Sequence, residues 1–240
     1  MPKSIDNEEP IIRLRNVTIG YDSNSPLVNI SEMEVFPGEI VAIVGPSGIG
    51  KTTLLRTIAG LIAPISGSVE VCGEVMPSNP KRGELGYIPQ KLGLVHHASV
   101  MHNVMLGANA GHKPRWTIFP SNIAKRHAHN AISSMGLSEK SGEPVRRLSG
   151  GQQRRVATAR TLAQSPRLIM ADEFLSELDE DTMSMVMNTV SDYVRSSGAS
   201  LLVVEHDISR AKLMADRLLI IDDGRMNPFI TEIKAVEVNI

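Results

Sequence analysis

The chain has 240 residues, 42% apolar and 21% charged, which suffices for one sizeable core or a core with one inserted lobe and excludes a long multi-domain protein. Its formal net charge of −1 and its 3% aromatic content exclude both a global field toward phosphate backbones or anionic lipid and a platform for single-stranded nucleic acid, so no direct nucleic-acid partner is expected. The lone Cys72 suits a reducing compartment, residues 1–10 are polar and acidic, and no run nears the roughly 18 apolar residues of a spanning helix, so a soluble chain is expected.

Residues 11–19 and 27–35 alternate imperfectly between apolar and polar, as strands with one buried face do, and predict an antiparallel β region at the start. Ile40, Val41, Ala42, Ile43 and Val44 form a continuous apolar run, followed by a glycine-rich turn and a helical stretch over 51–61 that ends around Gly60. Similar runs at 168–171, 201–204 and 218–221 predict parallel strands buried on both faces. Between the first two of these, Met183, Val186, Met187, Val190 and Val194 recur at helical spacing after Asp179, Glu180 and Asp181, acids that suit a positive helix N-terminus. The methionines there read as core packing. Residues 91–155 break the strand-helix rhythm and read as an inserted helical lobe, with Ala124, Ala128, Ala131, Ile132 and Met135 as one stripe. The tail, 226–240, alternates weakly like a strand, and no internal repeat or low-complexity tract appears.

Gly45, Pro46, Ser47, Gly48, Ile49, Gly50, Lys51 and Thr52 fit the P-loop pattern. Glycines let consecutive backbone N–H groups curl around phosphate oxygens at a helix N-terminus, Lys51 would neutralise β- and γ-phosphate charge, and the Thr52 hydroxyl would hold Mg²⁺. Thr53, next on the same turn, joins the nucleotide-binding set. The pattern lies between a buried strand and a helix, which is the context the chemistry requires. Asp172 follows the apolar run at 168–171, where a carboxylate completes Mg²⁺ binding, and Glu173 beside it is the candidate base for the attacking water. The fold class is therefore α/β: a P-loop NTPase core with a parallel sheet, over about 11–90 and 156–225, carrying the antiparallel β region and the lobe at about 91–155.

Leu148, Ser149, Gly150, Gly151 and Gln152, followed by the helical Gln153, Arg154, Arg155, Val156 and Ala157, resemble the signature motif of the ABC ATPase family. A serine hydroxyl and glycine N–H groups at a helix N-terminus form a second phosphate clamp. The resemblance, which spans residues 11–225, implies an ATPase that binds ATP and Mg²⁺. In the family, the signature of one subunit closes over ATP held by the P-loop of another, in a homodimer or a pseudo-dimer with a similar subunit. It implies further roles residue by residue. Tyr21 resembles the aromatic that stacks on adenine, and Gln90 the residue linking Mg²⁺ and the attacking water to the lobe. Ser176, Glu177, Leu178 and Asp179 resemble the loop crossing between the two sites, and His206 the histidine contacting γ-phosphate. Phe174 stands where the family usually has proline, and Glu177 where a small residue is common.

An ATPase chain without fused membrane spans resembles the subunits of importers and of some exporters. The implied place is cytoplasmic, held at the inner face of the cell membrane by permease subunits. Pro114, Arg115 and Trp116 with Ile118 and Phe119 resemble the corresponding region of phosphonate-type import ATPases. The alternatives are a soluble scaffold that remodels a non-membrane partner, of the iron-sulfur assembly type, and the ATPase of an exporter. Apolar residues over 92–100 are candidates for docking a permease helix, or else they pack inside the lobe. His96, His97, His102, His112, His127 and His129 show no known ligand spacing, and two residues on a helix point His127 and His129 apart, so no metal site is expected there.

Overall fold

The computed structural model describes residues 9–22, 24–112 and 121–228. The phosphonate-type segment at 114–119 and the tail beyond 228 lie outside the described residues. The chain begins with β1 (Ile12–Asp22) and β2 (Ser25–Val35), an antiparallel hairpin that sets Ile12 opposite Val35 and Val17 opposite Ile30. β3 (Ile40–Val44) is buried at every position. The glycine-rich turn leads into α1 (Lys51–Ile58), shorter than the expected 51–61, because Ala59 caps it and Gly60 leaves it at φ 72°.

β4 (Ser66–Val71), β5 (Glu74–Val75) and β6 (Leu85–Ile88) follow, then α2 (Val100–His112) and α3 (Asn122–Ser134). α4 (Gly150–Ala163) begins after two short 3₁₀ turns, Ser138–Lys140 and Val145–Arg147. The expected lobe edge at 155 falls inside this helix. The remainder alternates β7 (Leu168–Asp172), α5 (Glu180–Ser197), β8 (Ser200–Glu205), α6 (Ile208–Met214), β9 (Arg217–Asp222) and β10 (Arg225–Pro228). Asp179 caps α5 by accepting the Thr182 N–H, as the acidic run implied.

Among the described residues the strands form one sheet in the order β5-β4-β1-β2-β10-β9-β3-β8-β7-β6. β9, β3, β8, β7 and β6 run parallel, whereas β1 pairs antiparallel with β2 and β4. Two apolar clusters flank the strands. One holds Leu54, Leu55 and Ile58 of α1 against Ile12, Leu14, Val41 and Ile43. The other joins Val156, Ala159, Val186 and Val190 of α4 and α5 to Ala42, Ala171 and Val203, and extends through the Ala124, Ala128, Ala131, Ile132 and Met135 stripe. Of the apolar residues in 92–100, Leu94 and Val100 are buried, Leu92 and Ala98 are half-buried and Val95 is exposed, so the stretch is divided between packing inside and facing outward.

Parallel pairing has one consequence for chemistry. The C-terminal ends of β3, β6, β7 and β8 all reach the same edge of the sheet, so the segments that follow them, which begin at 45, 89, 173 and 206, emerge side by side.

Candidate nucleotide site

β3 ends at Val44 and the P-loop turns directly into α1. Gly48 and Gly50 have φ 81° and 111°, left-handed values that L side chains avoid, and Gly50 is the N-cap of α1. No side chain caps that helix and no acid lies in its first turn, so its leading N–H groups are free to meet an anion. Lys51 is buried, and its Nζ donates to the carbonyls of Gly45 at 2.6 Å and Pro46 at 2.8 Å. Burial holds its pKa below the usual lysine value, against the opposing pull of Glu173, Asp172 and Glu205. A cation so desolvated favours an arriving polyanion.

Thr52 Oγ1 donates to Asp172 Oδ2 at 2.9 Å across the gap between α1 and β7. Asp172 is 2% exposed, and burial raises its pKa while the Thr52 bond opposes the rise. Glu173 follows on the same strand end. Its Oε2 accepts from Gln90 Nε2 at 3.0 Å, and its Oε1 lies 3.7 Å from His206 Nδ1. Three segments that are far apart in sequence thus converge on one carboxylate. Glu173 and Glu177 have φ 50° and 63° without being glycine, a conformation that costs about 1–3 kcal/mol each and persists only where neighbours over-determine it.

A cleft of about 370 Å³ is lined by Tyr21, Leu27, Ser47, Gly48, Gly50, Lys51, Thr52, Thr53, Gln90 and Glu173. The Tyr21 hydroxyl accepts from Thr53 Oγ1 at 3.3 Å and Arg56 Nη1 at 3.4 Å, which seats the tyrosine beside α1, 68% exposed. Gly45, Pro46 and His206 instead border a second depression behind the loop, with Ile208 and Ile221. Ser149, Gly150, Gly151 and Gln152 do not line the nucleotide cleft. They open α4, where Ser149 accepts the Gln152 N–H and the Gln152 side chain accepts the Ser149 N–H, a capping box. Asp179 likewise stands apart, as the cap of α5.

Leu27, Arg154 and Glu205 escaped the reading of the sequence. Leu27 belongs to an ordinary strand pattern. Arg154 reaches the Glu173 carbonyl at 3.1 Å, and Glu205 is a wholly buried carboxylate whose two oxygens have no hydrogen-bond partner among the described residues. A glutamate ending an apolar run was the one available signal for the last.

The donor set fits a hard divalent cation. Thr52 and Asp172 bring oxygen atoms together, the carboxylate is buried, and the Gln90 amide oxygen is left over once its nitrogen serves Glu173. Among the described residues no cluster of three or more His, Cys, Asp or Glu side chains could hold a metal ion. A cation in this cleft would complete its shell with phosphate and water. His112 and His127 stack at 3.9 Å with the Ser165 hydroxyl bonded to a nitrogen of each, a pairing that their sequence separation hid.

The profile described as ABC transporter matches residues 28–176. The phosphonates import ATP-binding protein PhnC 1 of Pseudomonas aeruginosa is 35% identical over 231 residues, spanning 90% of this chain and 82% of that protein. The L-cystine transport system ATP-binding protein TcyN of Escherichia coli is 34% identical over 227 residues, spanning 90% and 88%. A solved dimeric ATP-binding cassette, MJ0796 in a post-hydrolysis state bound to ADP and phosphate, aligns with a TM-score of 0.77 at 28% identity, over 92% of this chain and 99% of that one.

Proposed function

Since the chain belongs to the ABC transporter family, we propose that it is the ATP-hydrolysing subunit of an importer, closing head to tail with a second copy or a similar subunit around two ATP molecules and driving a separate membrane permease. The convergence of the P-loop, Asp172, Gln90 and His206 around Glu173, at the C-terminal edge of the parallel strands, carries this reading. The separation of the signature from that cleft supports pairing, because a clamp that cannot serve its own nucleotide can serve a partner's.

The P-loop N–H groups and Lys51 take the phosphates, and Tyr21 offers its exposed ring to the adenine. Thr52, Asp172 and Gln90 would hold magnesium, which would supply charge neutralisation at the phosphates. Glu173, oriented by Gln90, accepts the proton of the water that attacks the γ-phosphorus. The bond from that phosphorus to the β–γ bridging oxygen breaks, giving ADP and phosphate. His206 faces the γ-phosphate, while Ser149, Gly150, Gly151 and Gln152 close on the partner's nucleotide, beside Asp179 at the crossing. The core at 11–90 and 156–225 holds ATP, and the lobe at 91–155 faces the permease.

Importers are favoured because the phosphonate and aliphatic-sulfonate relatives are named for import and the L-cystine relative for a transport system, and none of the three for a scaffold. Those relatives serve different cargoes at similar identity, as expected where the permease selects the cargo. Among the described residues no helix is long and apolar enough to cross a membrane.

Glu173→Gln is the deciding variant. It is expected to retain ATP affinity and to lose at least about tenfold in turnover, given the usual worth of a general base. Unchanged turnover in the purified variant removes Glu173 from the role.

A further inference from the structure

Arg154 lies just inside α4, two residues beyond Gln152, and is 5% exposed. A guanidinium so placed needs partners, because an unpaired buried charge is costly. It finds two. Nη1 donates to the backbone carbonyl of Glu173 at 3.1 Å, and Nη2 lies 3.4 Å from Glu177 Oε1. The Glu173 carbonyl also accepts from the Ser176 N–H at 3.2 Å and the Ser176 hydroxyl at 2.9 Å, both within the same loop. Arg154 is the donor that comes from another element.

The two residues it holds are the two left-handed non-glycine residues of the loop, Glu173 and Glu177. Such conformations need outside support. The link also runs back to the start of the helix, since a Cβ on Gly150 would lie 3.2 Å from Glu177 Oε2. Glu177 is 70% exposed on its side chain, so its ion pair is screened by water and holds weakly by itself. The buried bond to the carbonyl is the stronger restraint.

We propose that Arg154 is a positioning residue for the proposed base: from the signature helix it fixes the peptide plane after Glu173 and braces Glu177, so that the direction of the Glu173 carboxylate follows the seating of α4. The carboxylate touches Gln90 and lies near His206, and rotation of the peptide beneath it would carry it away from both. This inference rests on Glu173 acting as the base. It goes beyond that reading by naming what ties the base to the clamp, and it would let closure of the clamp on a partner's nucleotide be felt at the chain's own hydrolytic site.

The test is steady-state ATP turnover by the full chain, with its partners where they are required, for Arg154→Gln, Arg154→Lys, Glu177→Gln and Glu173→Gln. Arg154→Gln is expected to lower kcat by about tenfold or more, since small displacements of a catalytic group are that costly. KM for Mg-ATP should stay within about twofold, because the P-loop contacts are untouched. Arg154→Lys should recover part of the loss, its ammonium still reaching the carbonyl. Glu177→Gln should lose less than about threefold, as expected for an exposed pair. Should Arg154→Gln fail to unfold cooperatively, Arg154→Lys and Glu177→Gln still decide: an intermediate kcat at unchanged KM upholds the strut. Wild-type kcat in both arginine variants overturns it, as does a KM that rises in step with the loss. If Glu173→Gln is inactive while the arginine variants are fully active, only this inference falls; if Glu173→Gln itself turns over normally, the assignment of the base falls first.

Discussion

At the scale of single residues, Glu205 shows how far burial can move a carboxylate. It ends β8 with no exposure, and desolvation pushes its pKa up to about 7 despite the opposing charges of Arg210 and Arg154; Glu173 and Asp207 add to the rise. In the unfolded chain the group returns toward the ordinary 4.5. Between those values the folded protein holds a proton that the unfolded chain has released, so stability falls as pH rises from about 4.5 to about 7 and levels off above. Glu205→Gln removes the titration. It is expected to stabilise the nucleotide-free protein at pH 8 by up to about 3 kcal/mol, shrinking toward zero at pH 5. Denaturant unfolding at the two pH values measures this. Equal destabilisation at both would mean that the carboxylate is ionised and partnered in the fold. Cys72 is similarly displaced, its thiol raised to about 11 chiefly by burial, so it is inert at neutral pH.

Among the elements, α2 and α4 cross in backbone contact. Gly107 and Gly111 lie one turn apart on α2, and an added Cβ would sit 1.9 Å from the carbonyl of Arg160 in α4 or of Gln164, its C-cap, respectively. The two backbones touch, and no rotamer change relieves a clash with a carbonyl. Gly107→Ala is therefore expected to cost about 1–3 kcal/mol by overpacking. A lowered melting temperature with ATP affinity retained is the expected pair of results, since α1 packs on the other face of the sheet. A variant as stable as the wild type would show that α2 slides freely on α4. The same element pair carries Arg160, whose guanidinium donates to the carbonyls of Leu92 and Gly93 at 2.7 Å and pins the chain between β6 and α2.

In the molecule as a whole, the signature residues do not line the nucleotide cleft of their own chain, and that makes a composite site testable. In a head-to-tail pair, a chain with Lys51→Ala and a chain with Ser149→Arg spoil the same composite site and leave the other intact. Each variant alone is expected to be inactive, and a mixture of the two should regain turnover. Mixing without recovery would argue that each chain works on its own nucleotide. Glu173→Gln should in addition accumulate as a dimer in Mg-ATP, read by light scattering, because the closed state forms without being discharged.

What depends on local order was legible in the order of residues alone. The glycines, Lys51 and Thr52 had to stand between a buried strand and a helix. Asp172 and Glu173 had to follow a second buried run, and Ser149 and Gln152 had to open a helix. Spacing and periodicity carry that information because turns, caps and strand ends are set by neighbours in the chain. It took the folded chain to bring Gln90, His206 and Glu173 together, to carry Arg154 to the Glu173 carbonyl, to bury Glu205 wholly and to stack His112 on His127. Those contacts join residues far apart in the chain, and they follow from strand order and helix packing, which no local pattern of residues encodes.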